Sequence, residues 1–259
     1  MRIARFSAGE DPKYAIVEGE AGAEVAAVLD GDPLYRPIEP TGERFPVADA
    51  RLLAPIIPRS KVIGVGRNYA EHAAELGNEV PAEPLIFLKP NTSVIGPGDG
   101  IVYPQQTGDL QFEGELAVVI GRICRHVPRE RTNEVIFGYT CGNDITARDL
   151  QRTDGQWARA KGFDTFCPLG PWIETDLDVS DLALTTTVAG DVRQSGRTSA
   201  MIHDIPSLIG YVSSFMTLLP GDVILTGTPA GVGPMQVGDE VSVTIDGIGT
   251  LTNRVIGRG

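Results

Sequence analysis

The sequence predicts an α+β chain made mainly of β-structure, and three observations carry that expectation. Short apolar runs rich in Val, Ile and Leu recur along the chain, each too short for a stable helix. Its 31 glycines and 19 prolines break those runs at closely spaced turns. Sustained helical periodicity is clear in one segment, and strands do not alternate with helices as regular βαβ units, so a doubly wound sheet is not expected.

Taken in order, Arg2–Ser7, Tyr14–Glu18 and Glu24–Leu29 read as strands separated by Asp-Pro, Glu-Gly and Asp-Gly turns. A Pro-spaced stretch from Pro33 to Pro46 follows. Ala54-Pro-Ile-Ile-Pro58 then reads as a boundary between a small N-terminal β-module (1–58) and a main domain (59–259). The module carries no candidate chemistry. In the main domain the strand candidates are Lys61–Gly66, Leu85–Leu88, Phe112–Ile120, Val135–Cys141, Leu184–Val188, Val223–Thr226 and Val241–Ile245. Asp246-Gly247 between two strand-like runs is a hairpin signal. The clear helix starts at the cap Asp204, repeats Ile205, Leu208, Ile209, Val212, Phe215 and Met216 on one stripe, and stops before Pro220-Gly221. Asn68–Glu75 reads as a second, short helix.

A net charge of −12 argues against a nucleic-acid surface, which needs clustered Lys and Arg. It leaves an anionic small molecule open, because a metal and a few cations can reverse the sign locally. Cys124, Cys141 and Cys167 are far apart with no CxxC, as expected of reduced, mostly buried thiols. No secretory h-region follows the N-terminus, and no apolar run approaches a membrane span of ~18 residues. A soluble cytoplasmic protein, with neither membrane nor nucleic-acid partner, is the expectation.

The most telling stretch is Phe112-Glu-Gly-Glu-Leu-Ala-Val-Val-Ile-Gly121. Glu113 and Glu115 alternate along a strand that becomes wholly apolar, so both carboxylates point to one face. Two like charges entering a buried strand repel each other and resist desolvation, and a hard divalent cation would relieve both costs. A solvated pair at a strand edge is the plain alternative. Asp144 ends another apolar strand, where it can add a third oxygen ligand or cap the helical turn that follows. With no Cys or His nearby, such a trio favours Mg²⁺ or Mn²⁺ over zinc. Lys161 follows a polar, Trp-containing loop. Thr228 opens the Gly-rich loop Thr226–Gly233, whose hydroxyls and amides can hold a carboxylate. His72 and Glu75 share a helix face at i and i+3, a spacing that lets a carboxylate orient an imidazole, or that merely marks a solvated face. Gly64-Val-Gly66-Arg-Asn-Tyr69 has Tyr where a dinucleotide fingerprint needs its third glycine, so no nicotinamide site is expected.

Five ordered motifs together resemble the fumarylacetoacetate hydrolase family, in its branch of acylpyruvate hydrolases, oxaloacetate decarboxylases and hydroxy-heptadienedioate isomerases. They are Gly-Arg-Asn-Tyr with His72 and Glu75, the Glu113/Glu115 segment, Gly138-Tyr-Thr-Cys-Gly-Asn-Asp-Ile-Thr-Ala-Arg-Asp149, Lys161, and Leu225-Thr-Gly-Thr-Pro229. Gln111 departs from the pattern, since many relatives carry Asp there. The resemblance implies a mixed β-sandwich roll, usually a homodimer, with Mg²⁺ or Mn²⁺ on Glu113, Glu115 and Asp144. It places Arg148, Gln151 and Thr228 around the substrate with Lys161, and makes His72 and Glu75 a catalytic dyad on a segment closing over the site. The expected substrate is a small anionic 2-oxo acid that reacts through a metal-stabilised enolate. C–C cleavage leads, isomerisation of an unsaturated 2-oxo diacid is the alternative, and an inactive scaffold of the same fold is the non-enzymatic one.

Overall fold

A computed structural model describes residues 1–9 and 11–257. The chain opens with β1 (Arg2–Ser7), β2 (Lys13–Glu18), β3 (Val25–Leu29), β4 (Pro40–Pro46) and β5 (Arg51–Leu53). Next come β6 (Val62–Gly66), α1 (Ala70–Glu75), β7 (Leu85–Lys89), β8 (Val94–Ile95) and β9 (Gly100–Tyr103). The middle holds β10 (Leu110–Phe112), β11 (Gly114–Ile120), β12 (Ile136–Asn143), β13 (Thr146–Ala147), α2 (Arg148–Asp154), α3 (Ala158–Lys161) and β14 (Cys167–Glu174). The chain closes with β15 (Ala183–Val188), β16 (Asp191–Arg197), α4 (Ile205–Phe215), β17 (Val223–Leu225), β18 (Gly233–Pro234), β19 (Glu240–Ile245) and β20 (Gly249–Gly257).

One mixed sheet runs β4-β3-β2-β1-β14-β12-β11-β17-β6-β7, a second runs β16-β15-β19-β20-β9, and β13-β10-β18 forms a short third. β11 explains the layering. Its Leu116, Val118 and Ile120 face a core shared with Val243, Ile245 and Leu251 of the second sheet and with Leu208, Ile209 and Val212 of α4. Its Ala117 and Val119 face a second core with Ile3, Cys167 and Leu169. A strand buried on both faces cannot alternate apolar with polar residues, which is why it reads as a continuous apolar run.

α4 starts as expected, with the Asp204 side chain accepting from Ser207 N, but Phe215 lies 49% exposed instead of completing the stripe. The first residues have a small core of their own around Phe6, Ala15, Ala26 and Val28. They also extend the main sheet, because β1 pairs with β14 through Arg2↔Glu174 and Ile3↔Ile173. All three cysteines are free thiols, and burial pushes Cys141 and Cys167 up to about 12. No helix among the described residues is long and apolar enough to cross a membrane.

Candidate active site and metal centre

The expected single strand Phe112–Ile120 is broken at Glu113. Leu110–Phe112 pair in the short third sheet, while Gly114–Ile120 enter the main one. Side chains cover the break: Glu113 N donates to Asn143 Oδ1 at 3.0 Å, and Gly114 N donates to Gln194 Oε1 at 3.0 Å. Gly114 is needed there, since a Cβ would stand 2.1 Å from Thr186 Oγ1. The kink lets Glu113, Glu115 and Asp144, at the end of β12, converge. Each offers an oxygen, and the three oxygens lie within 4.8 Å of one another in the interior.

The three carboxylates differ in their partners. Glu113 accepts from Arg148 Nη2 at 2.5 Å and from Lys161 Nζ at 2.7 Å. Burial alone would raise its pKa, but Lys161 and Arg148 outweigh burial and hold it well below the usual carboxylate range. Asp144 accepts from Lys161 Nζ at 2.7 Å and from Lys89 Nζ at 2.5 Å. It does not cap α2, whose N-cap is Ala147. Glu115 accepts from Gly227 N at 2.7 Å. Burial, reinforced by the charges of Asp144 and Glu113, pushes Glu115 well up. Lys161 is driven the other way by burial, but Asp144 and Glu113 more than compensate and keep it protonated.

A cavity of about 490 Å³ opens over these groups, lined by His72, Glu75, Arg148, Gln151, Lys161 and Thr228 among others. All nine residues singled out from the sequence therefore meet at one place, with Asp144 beneath the lining. Arg148 is fixed by Gln111, which accepts from its Nε at 2.9 Å, and by Gln151, which accepts from its Nη1 at 2.6 Å. Gln111, the departure from the family pattern, thus orients an arginine of the site. Several donors of the Thr226–Gly233 loop bond to the protein itself. Thr228 Oγ1 donates to Gly114 O at 2.8 Å, Gly227 N serves Glu115, and Gly231 N reaches both Glu75 oxygens at 3.2 Å.

His72 is buried, 5% exposed, and not on a solvated face. Its Nδ1 lies 3.6 Å from Glu75 Oε2 and has no hydrogen-bond partner among the described residues. Burial lowers its pKa, against the opposing pull of Glu113, so the imidazole is neutral at pH 7. Sequence reasoning missed two residues. Lys89 ends β7 fully buried against Asp144, and a lysine closing the apolar run Leu85–Leu88 was the available signal. Gln194, buried in the polar strand β16, joins Gly114 to Thr228 and carried no such signal.

The donor set suits a hard divalent cation: three buried carboxylates with no thiolate or imidazole in the trio. Two buried polar atoms of the α1 segment, Tyr69 Oη and His72 Nδ1, lack partners among the described residues, as in a site built to receive something.

The family model described as fumarylacetoacetate (FAA) hydrolase C-terminal matches residues 61–256. The chain belongs to the fumarylacetoacetate hydrolase family. A second model, Rv2993c-like N-terminal, matches residues 1–55. Among solved structures of the family, one named 5-carboxymethyl-2-hydroxymuconate delta-isomerase from Mycobacterium smegmatis is 53% identical, with TM-score 0.93 and 100% of both chains covered. The oxaloacetate decarboxylase of Dictyostelium discoideum is 44% identical over 73% of this chain and 90% of its own length. A fumarylpyruvate hydrolase from Pseudomonas aeruginosa, solved with Mn²⁺ and pyruvate, is 36% identical with TM-score 0.74, covering 78% of this chain and 91% of that one.

Proposed function

We propose that this member of the fumarylacetoacetate hydrolase family is a Mg²⁺- or Mn²⁺-dependent enzyme acting on small anionic 2-oxo or 2-hydroxy-enoic acids. Its reaction is C–C cleavage, either hydrolysis of an acylpyruvate or decarboxylation of oxaloacetate. One observation carries this reading: three buried carboxylates, their oxygens within 4.8 Å, under a cavity lined by His72. The names of relatives that act on oxaloacetate and fumarylpyruvate support it.

A divalent cation held by Glu113, Glu115 and Asp144 supplies Lewis-acid stabilisation for charge developing on the substrate's 2-oxo oxygen. The protein's own charges set the sign of the pocket. Lys89, Lys161 and Arg148 balance the three carboxylates when all are ionised, so any added cation leaves the site positive and receptive to an anion. Arg148, held in place by Gln111 and Gln151, orients that anion. Lys161 faces the oxygen that becomes negative. In hydrolysis His72 takes the proton of the attacking water, with Glu75 steadying the imidazolium that results. Decarboxylation needs the cationic groups but no attacking water.

The isomerase name of the M. smegmatis structure favours a second reading, proton transfer on an unsaturated 2-oxo diacid. A panel of oxaloacetate, acylpyruvates and unsaturated 2-oxo diacids, assayed with Mg²⁺ and Mn²⁺, separates the readings. Metal-dependent pyruvate release, abolished in Glu115→Ala, is the expected result. Rearrangement without pyruvate selects the isomerase, and no metal-dependent turnover on any substrate overturns both in favour of a scaffold. We also propose a homodimer, by resemblance to the family; a monomer in sedimentation at micromolar concentration counts against it.

A further inference from the structure

Four cationic side chains belong to the cavity lining, and three of them are already committed. Arg148 and Lys161 are bound to Glu113, with Lys161 also on Asp144, and Arg152 stands 3.5 Å from Asp109. The fourth is Arg67, half-buried between β6 and α1, with no side-chain hydrogen bond or ion pair among the described residues. A half-buried arginine lining a cavity without an anion to pair with leaves its fork open to a carboxylate.

The backbone at Arg67 points the same way. Its φ is 56°, in the left-handed region that a glycine enters freely and an arginine enters at a cost. Such strain persists where the surroundings over-determine it, and here they do. Asn68, the next residue, donates from Nδ2 to His203 O at 2.9 Å and to Thr226 O at 2.7 Å, while its Oδ1 accepts from His203 N at 2.8 Å. On the other side Gly66 is packed so closely under Trp157 that a Cβ would stand 2.6 Å from the indole. The chain is clamped before and after Arg67, and the strained position carries a long cationic side chain at the cavity wall.

Resting on the reading above, in which the 2-oxo acid head lies over the Glu113/Glu115/Asp144 trio, we propose that Arg67 receives a second carboxylate at the far end of the substrate. Arg67 is then the residue that selects 2-oxo (or 2-hydroxy-enoic) dicarboxylic acids over monocarboxylates with apolar tails. A cavity of about 490 Å³ leaves room for such a tail beyond the reacting carbons.

The test measures binding, so it does not depend on knowing the reaction. Mn²⁺-loaded protein is titrated calorimetrically with two matched pairs: 2-oxoglutarate against 2-oxopentanoate, and 2-oxoadipate against 2-oxohexanoate. Within each pair only the distal carboxylate differs. The wild type should bind the diacid of at least one pair ~10- to 100-fold tighter, the range of one charge-assisted hydrogen-bonded pair. Arg67→Gln and Arg67→Gly should erase that preference and leave monoacid affinity unchanged, while Arg67→Lys should keep part of it. Glycine suits φ 56°, so a loss in that variant is not a folding defect. Metal-dependent binding without a diacid preference in the wild type overturns the role of Arg67 alone. A preference that survives in Arg67→Gln and Arg67→Gly does the same and assigns the distal carboxylate to another cation. If Mn²⁺ makes no difference to the binding of any of the four acids, the metal-centred reading falls, and this inference falls with it.

Discussion

Glu115 is the residue on which the chemistry of the trio turns. Glu113 and Asp144 each have both oxygens on buried cations, whereas the bond that Glu115 accepts comes from the Gly227 amide. Burial first, and the like charges of Asp144 and Glu113 next, raise its pKa well above the ordinary value and so favour its protonated form in the metal-free protein. The sign for stability follows. An acid raised in the folded state is comfortable when protonated, and that comfort is lost as pH climbs from the ordinary glutamate range through the folded pKa. A bound cation needs the carboxylate and must expel the proton. Mn²⁺ binding near pH 7 should therefore release up to about one proton per chain, and affinity should rise with pH. Calorimetry in buffers of different ionisation enthalpy reads this directly. Glu115→Gln should bind metal more weakly and release no proton. A wild-type titration with no buffer dependence refutes the assignment.

At the scale of elements, α1 shows what a short helix needs. Six residues cannot hold a helix alone, even with Ala70, Ala73 and Ala74. Asn68 clamps its start to the His203 and Thr226 carbonyls, and Glu75 ties its end to Gly231 N. That bracing carries His72 into the cavity wall, its neutral form favoured by burial. His72→Ala should thus cost ~10²–10⁴-fold in hydrolysis while decarboxylation suffers less. A depressed imidazole pKa also places the acidic limb of the wild-type hydrolysis profile below the ordinary ~6.5, and that limb should vanish in the variant. Wild-type rates in His72→Ala would return the residue to a packing role. The same scale shows what could be read from the sequence. Strands β1, β6, β15 and β19 were legible because their apolar residues alternate or run together between turns. β14 was not: the prolines and glycine of Cys167-Pro-Leu-Gly-Pro-Trp interrupt its apolar residues, yet it joins β1 to β12 because tertiary pairing overrides local propensity. β16 and β4 are polar outer strands with no apolar signal. The nine site residues were legible because carboxylates and cations abutting apolar runs are costly without a purpose. Lys89 obeyed the same rule and was overlooked, and Gln194 obeyed no rule visible in one dimension.

On the scale of the whole molecule, the site joins parts of the chain that lie far apart in sequence. Glu113 stands at the β10/β11 break and Glu115 within β11, while Asp144 lies beyond β12 and its partners Lys89 and Lys161 come from β7 and α3. Three buried cations already pair with Glu113 and Asp144, the raised pKa of Glu115 relieves it of charge, and two apolar cores lie on either face of β11. The fold therefore does not depend on a metal in the way a small zinc domain does. A cation that binds the folded trio, and not the dispersed carboxylates of the unfolded chain, still adds stability by mass action. At free Mn²⁺ of ~100 times the dissociation constant the gain is about 2.7 kcal/mol. For a chain of 259 residues that corresponds to a rise in Tm of roughly 5–10 °C. The chelated protein should melt cooperatively, and adding Mn²⁺ back should restore the higher Tm. Glu115→Ala should melt close to the chelated wild type and should not respond to Mn²⁺. A chelated protein that is unfolded from the start would show that the three cations do not suffice to hold the trio together. A wild type whose Tm ignores saturating Mn²⁺ and Mg²⁺ alike would show that the trio binds no such ion.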